Sequence, residues 1–355
     1  MKPRDLSRGK ASPYERRIGL EKKNAVAVPP EVQHFHKTLQ VITDNIRKVI
    51  VGHEKMIDEA LTCLLCDGHG LIEGVPGLGK TLMVRTLAQS IGAKFSRIQF
   101  TPDLMPSDIV GTDVVIETES GGKKFDFRQG PIFGNIILAD EINRATPKTQ
   151  SALLQAMQEK SVTVGGRTYE LAAPFFVLAT QNPLEMEGTF PLPEAQLDRF
   201  FFKILLMSSN LKELVEIVDR TCSDSVISVS AVAQTEDILA MRRTVRRVPV
   251  ASHVKEFAAR IVLATHPESD SAAPLVKRYV RYGASPRGVQ CIVLAAKARA
   301  LKEGRFNVAF EDCREVARPA LRHRIILNFE GEAEGIDRDA IISQILDSIP
   351  TTSAK

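Results

Sequence analysis

The sequence lacks several features, and each absence removes a class of protein. No apolar run approaches the roughly 18–20 residues of a membrane span, and the N-terminal segment has no apolar core of secretory type. The five cysteines are odd in number and scattered, which argues against a disulfide framework. Cys63 and Cys66 form a C-x-x-C with His69 close by, but no second ligand pair stands at a spacing that would complete a zinc site. They end an apolar helical stretch with Ile57, Leu61, Leu64 and Leu65, and read as buried thiols. His34 and His36 receive the same structural reading. A basic body is missing too. Residues 1–23 hold eight Lys/Arg against three Asp/Glu, so of the net charge of +4 the remaining chain carries −1. A nearly neutral body without interleaved basic and aromatic residues argues against nucleic-acid binding. No N-K-x-D element is present, which excludes a guanine-reading GTPase. The expectation is a soluble cytoplasmic protein.

What is present suits a globular protein of two domains: 355 residues, 44% of them hydrophobic. Residues 1–34, polar and basic and ending near Pro29-Pro30, read as a disordered tail. Residues 37–65 carry two helical patterns split at Val51-Gly52. From Gly70 the pattern is α/β. Apolar runs at Gly70–Glu73, Phe95–Phe100, Asn135–Ala139, Phe175–Thr180 and Phe200–Leu206 read as buried parallel strands. Helical patterns at Lys80–Ile91 and Lys148–Glu159 lie between them.

Two hairpins interrupt the alternation. One, Val114–Arg128, turns at Gly121-Gly122 and sets Glu119 opposite Lys124; the other, Ser161–Leu171, turns at Gly165-Gly166 and sets Thr163 opposite Thr168. After Ser209 strands largely stop. A Ser-rich link (Thr221–Ser230) leads to helical patterns at Glu236–Arg247, His253–Thr265, Arg287–Glu303 and Glu311–Ile326. The domains expected are a nucleotide-binding αβα core with a parallel sheet over 35–209 and a smaller helical domain over 210–350.

The chemistry is concentrated in three places. Gly74-Val75-Pro76-Gly77-Leu78-Gly79-Lys80-Thr81 is a full G-x-x-x-x-G-K-T after a strand and before a helix. Its glycines let backbone N–H groups wrap phosphates at a helix N-terminus. Lys80 reaches the β/γ-phosphates of ATP and Thr81 ligates Mg²⁺. Next, the strand Asn135–Ala139 ends in Asp140-Glu141. Phosphoryl transfer needs an acid near Mg²⁺ and a group that orients the attacking water, and these two carboxylates suit those tasks. Third, the strand Phe176–Thr180 runs into Gln181-Asn182-Pro183. A neighbouring parallel strand brings Asn182 beside the carboxylates, where its amide can sense the γ-phosphate or water; alone it reads as an Asn-Pro turn. Arg287 follows Ser285, an N-cap, and Pro286, a first helical residue. A cation in a first turn opposes the dipole, and a nearby anion explains it.

GVPGLGKT, LADEINRATPKTQSALLQAMQE, ATQNP, FPLPEAQLDRF and YGASPRG occur in an order and at spacings that resemble the MoxR family of AAA+ ATPases, over about residues 35–330. The resemblance implies Walker A at Lys80 and Thr81, Walker B at Asp140 and Glu141, sensor 1 at Asn182, an arginine finger at Arg199 and sensor 2 at Arg287. It implies a helical lid with ATP in the cleft between lid and core, and hydrolysis completed by neighbouring subunits of a ring, a hexamer. It also implies chaperone-like remodelling of partners that carry a von Willebrand factor A domain. The two Gly-Gly ribbons fit the hairpins that this branch inserts near helix 2 and before sensor 1. Thr146 and His53 depart from the family pattern, outside the core chemistry.

Two rival functions use the same engine: a nucleic-acid motor or loader, opposed by the neutral body, and a nucleotide-gated scaffold without turnover, opposed by Glu141. Arg242, Arg243, Arg246 and Arg247 close a helix that starts with an acidic turn, and read as a solvated helix end that complements the dipole.

Overall fold

The computed structural model describes residues 29–117, 122–183, 188–222 and 228–350. The chain enters through helices α1 (Pro30–Arg47) and α2 (Glu54–Leu65). Strand β1 (Gly70–Glu73), helix α3 (Lys80–Ser90) and strand β2 (Phe95–Gln99) follow. Short helix α4 (Pro106–Val110) leads into the hairpin β3 (Gly111–Glu117) and β4 (Lys123–Gln129). Next come β5 (Ile136–Asp140), α5 (Pro147–Glu159), the hairpin β6 (Ser161–Val164) and β7 (Arg167–Glu170), and β8 (Phe176–Gln181). Helix α6 (Glu194–Leu197) and strand β9 (Phe202–Leu205) complete the α/β part. The remainder is α7 (Leu211–Thr221), α8 (Thr235–Arg247), α9 (Ser252–Leu263), α10 (Pro274–Tyr279), β10 (Val280–Tyr282), α11 (Pro286–Lys302), α12 (Phe310–Leu321), β11 (Ile326–Leu327), α13 (Phe329–Ala333) and α14 (Arg338–Ser348).

The five expected strands form one parallel sheet in the order β2-β5-β8-β1-β9. Alternate residues of the buried strands feed two separate cores, as a period of two requires. Ile136, Leu138, Phe176 and Leu178 face one cluster; Ile137, Ala139, Val177 and Ala179 face the other. The first cluster continues through α1, α2 and α3 into α9, α11, α12 and α14, so the later helices are docked on that face. The second lies under α5 and the base of the hairpins. Chain order steps from β1 out to β2 and back, so β1 stands at the point where strand order reverses. Open parallel sheets bind ligands at the carboxyl ends of the strands there.

Several expectations need correcting. The helix starts at Pro30, not after residue 34. Pro30 suits a first helical position, and Val32, Phe35, Leu39, Ile42 and Ile46 form a buried stripe at helical spacing. The rest of the expected tail, residues 1–28, lies outside the described residues. Lys124 pairs with Ile116 rather than Glu119, which lies outside them; the residues of β3 and β4 pair continuously from Gly111↔Gln129 to Glu117↔Lys123, and that fixes the register. In the second hairpin Thr163 does face Thr168, with 3.1 Å between their hydroxyls. Gly165 and Gly166 both have positive φ (56° and 76°), the backbone of a two-residue turn that matches strand twist.

The helix expected to reach Ile326 stops at Leu321. Arg322, His323 and Arg324 follow in succession and all turn toward the α/β part, with contacts to the carbonyls of Lys203 and Phe200. A helix cannot aim three consecutive side chains at one surface. Helices α7 and α14 and the small β10–β11 ribbon were not foreseen. The link expected at Thr221–Ser230 begins one residue late, since Thr221 ends α7, and 223–227 lie outside the described residues.

Candidate active site

The loop 74–79 leaves β1 and enters α3. Gly77 and Gly79 hold φ of 85° and 75°, a backbone that L side chains rarely adopt, and open space surrounds both α-carbons. No side chain caps α3, and the N-terminus of a helix suits an anion. The Gly74 N–H donates to the Gln181 carbonyl (3.3 Å), and the Lys80 ammonium donates to the Gly74 carbonyl (2.7 Å). The loop is thus pinned where it leaves the sheet and open where phosphates would lie. These features fit a phosphate chain as the group held.

Asp140 ends β5 and Asn182 follows β8, one strand nearer β1; both are buried. The Thr180 hydroxyl donates to Asp140 Oδ1 (2.7 Å) and accepts from the Glu141 N–H (2.8 Å). This single threonine therefore fixes both carboxylate residues. Arg97 donates to Asp140 Oδ2 (2.7 Å), while Gln99 and Arg144 donate to Glu141 Oε2 (2.8 and 2.9 Å). Glu141 sits in the left-handed region at φ 57°, where a non-glycine residue costs on the order of 1–3 kcal/mol. That geometry turns its carboxylate out of the strand, toward Gln99. Sequence reading missed Thr180, Arg97, Gln99 and Arg144. A buried hydroxyl near the end of an otherwise apolar strand was the one available signal for Thr180; the others become visible only through strand pairing.

Arg199 and Arg287 lie elsewhere. Both line a pocket with Gly68 and His69, just before β1, and Phe201, just before β9. That is the amino end of the sheet. The P-loop is at the carboxyl end of β1, about 13 Å of strand away at roughly 3.3 Å per residue. Arg287 approaches Asp198 at 3.7 Å, and Arg199 donates to the Leu154 carbonyl at 3.4 Å. Asp198 also accepts from Ser285, the cap of α11, and from Arg324. One aspartate thereby ties the start of α11 to the core. The P-loop after β1, Asn182 after β8 and Asp140-Glu141 at the end of β5 stand at the carboxyl ends of three adjacent strands. The structure joins Arg199 and Arg287 in one pocket, and does not bring Arg287 to the P-loop of its own chain.

The expected solvated helix end is only partly so. Arg242 is largely buried, donating to the Leu64 carbonyl (2.8 Å) and pairing with Asp67 (2.5 Å); a carboxylate and a helix C-terminus together compensate its desolvation. Burial holds His69 down at about 4 and pushes the Cys291 thiol up to about 12. His69 is therefore neutral, accepting the Val177 N–H on Nδ1 and donating from Nε2 to the Met157 carbonyl. Cys63 and Cys66 are buried, and burial raises both thiols.

Comparison with known proteins identifies the two parts of the chain. Residues 69–202 match the ATPase family associated with various cellular activities, and residues 272–345 match an AAA lid domain. With the parallel sheet and its P-loop, these matches define a nucleotide-binding AAA+ ATPase core followed by a helical lid. An uncharacterized Bacillus subtilis protein, YeaC, is 44% identical over 89% of this chain and 96% of its own length. Chaperone MoxR1 of Mycobacterium tuberculosis is 41% identical over 88% of this chain and 82% of its own. The crystal structure of a Cytophaga hutchinsonii protein described as a candidate ATPase superposes with a TM-score of 0.85 at 42% identity, covering 94% of this chain and all of that one. The chain belongs to the MoxR family of AAA+ ATPases. Among the described residues no helix is long and apolar enough to cross a membrane.

Proposed function

We propose that the chain hydrolyses ATP with Mg²⁺ at interfaces between copies of itself, in a ring whose implied size is a hexamer, and that the cycle remodels a protein client. The observation that carries this reading is the division of the chemistry between opposite ends of one sheet. Phosphate-binding and water-orienting groups stand at the carboxyl end, and the cations needed for phosphoryl transfer stand at the amino end. A second copy placed head to tail unites them, and heterologous contacts of this kind close into rings.

In this reading the loop 74–81 wraps the phosphates and Lys80 contacts the β- and γ-groups. Thr81 and Asp140 hold Mg²⁺, which supplies neutralising charge when bound. Glu141 orients the attacking water, with Asn182 beside it. Arg199 and Arg287 of the next copy meet the charge that develops at the γ-phosphate. The lid, tied to the amino end through Asp198, then reports on the nucleotide of the neighbour. The chaperone name of the mycobacterial relative supports remodelling of proteins as the output, and a partner with a von Willebrand factor A domain is the expected associate.

A mixing experiment tests the interface. Lys80→Ala and Arg199→Ala, each inactive alone, should regain activity in mixed rings, because an intact P-loop then meets an intact Arg199 across some interfaces. Absence of recovery in rings shown to be mixed would confine Arg199 to its own subunit.

A further inference from the structure

We propose that Arg246 is a third cation, beside Arg199 and Arg287, that the chain offers to the nucleotide phosphates of a second copy; the inference rests on the interface reading above. Arg246 lies in the last turn of α8, and its place in the pocket is not explained by the helix alone. Of the four arginines there, Arg242 is buried against Asp67, and Arg247 pairs with Glu31 at 2.9 Å. Arg243 lines a different pocket, beside Glu31 and His34. Only Arg246 turns into the pocket of about 280 Å³ that holds Arg199 and Arg287.

The charge in that pocket is unbalanced. It is lined by Lys160, Arg199, Arg246, Arg287 and Arg324 against two carboxylates, Asp67 and Asp198. Both carboxylates are already engaged: Asp67 by Lys160 and Arg242, and Asp198 by Arg324, Ser285 and Arg287. Among the described residues Arg246 has no ion-pair partner; its carbonyl accepts from Lys297, and the residue is exposed. Cations that line one pocket repel one another, and an anion that enters it offsets that cost. The anion with the right charge and the right approach is a polyphosphate, held by the P-loop of a copy docked on this face. Several guanidinium groups suit its several oxygens.

The experiment uses the full chain in its assembled form. Arg246→Ala should lower kcat about tenfold or more, the size of one lost charge-assisted contact, and leave the affinity of its own P-loop for ATP unchanged. Mixing with Lys80→Ala should restore part of the loss, and Arg246→Lys should retain more activity than the alanine variant. Thermal unfolding of each variant separates this from a mere helix-dipole role, which would shift stability slightly and leave kcat alone. Wild-type kcat for Arg246→Ala, with Arg199→Ala still impaired and rescued by mixing, would overturn the proposal and keep the interface reading. Loss without rescue by mixing would overturn it too, since Arg246 would then act inside its own subunit. If Arg199→Ala is also not rescued, the interface reading itself fails. Inorganic tripolyphosphate that binds isolated Lys80→Ala subunits through Arg246 would identify a free-anion site and overturn the assignment to a second copy.

Discussion

The two ends of the central sheet are built on opposite principles. At the carboxyl end each candidate carboxylate is held by protein partners: Thr180 and Arg97 on Asp140, Gln99 and Arg144 on Glu141. At the amino end cations outnumber carboxylates, and among the described residues Arg199 reaches only a carbonyl at 3.4 Å. Under the proposed function the first end would position water and metal, and the cations of the second would meet the phosphates of another copy. An active site shared between copies would give that asymmetry a physical reason.

The largest effect that could break this comparison is at Arg199. Arg199→Ala should reduce turnover by about 10³–10⁵, the range for a cation supplied in trans to phosphoryl transfer, with ATP binding near normal in a titration. Unimpaired turnover would return Arg199 to an ordinary surface role. At the other end, Glu141→Gln keeps the shape and removes the group that orients water. Turnover should fall by about 10²–10⁴ while ATP still binds, and a phosphate-release assay reads both ends on one scale. Wild-type turnover would make Glu141 a strand-end residue only.

Glu59 sharpens the comparison through stability. It lies on α2 beneath the lid, near Phe202, Arg299 and Lys302, with Oε2 lacking a hydrogen-bond partner among the described residues. Burial raises its carboxyl from 4.5 to about 7. A raised folded-state value means that folding favours the protonated form. Its stabilising contribution is therefore full below pH 4.5, and is lost as pH rises through 7. The wild type should lose on the order of 2–3 kcal/mol relative to Glu59→Gln between pH 5 and 8. Parallel pH–stability curves in denaturant unfolding would refute this. The smallest effect expected is at Lys80: Lys80→Ala should weaken ATP at least about tenfold, one charge-assisted contact. Unchanged affinity would remove Lys80 from the site.

Much of the carboxyl end was legible because its parts are local. A P-loop is one continuous octapeptide; Asp140-Glu141 terminates an apolar run, and Asn182 follows another within three residues. The hairpin turn at Gly165-Gly166 was legible for the same reason, since the backbone it needs is written in two adjacent residues. The supporting shell was not. Arg97 meets Asp140 only because β2 pairs with β5 in the register Gln99↔Asp140, and no local pattern states which strands will be neighbours. Helix ends were legible where a proline or a cap marks them. They failed at Leu321, where Arg322, His323 and Arg324 are spent on contacts far away in sequence.

The amino end shows what sequence could not decide. Composition and motifs determined the fold class, the nucleotide loop, the two carboxylates and the presence of Arg199 and Arg287. The resemblance implied that neighbouring subunits complete the site, but local pattern gave no means of telling at which end of the sheet those arginines stand. That was decided when α11 docked through Ser285 and Arg324 onto Asp198, just ahead of β9, and so brought Arg287 to Arg199. A helix pattern fixes which face of α8 is apolar, and yet four arginines in one turn and a half went to three destinations: a buried ion pair, the surface, and a pocket with four other cations. Local periodicity sets the face a side chain occupies; only the packed neighbours set the charge it meets.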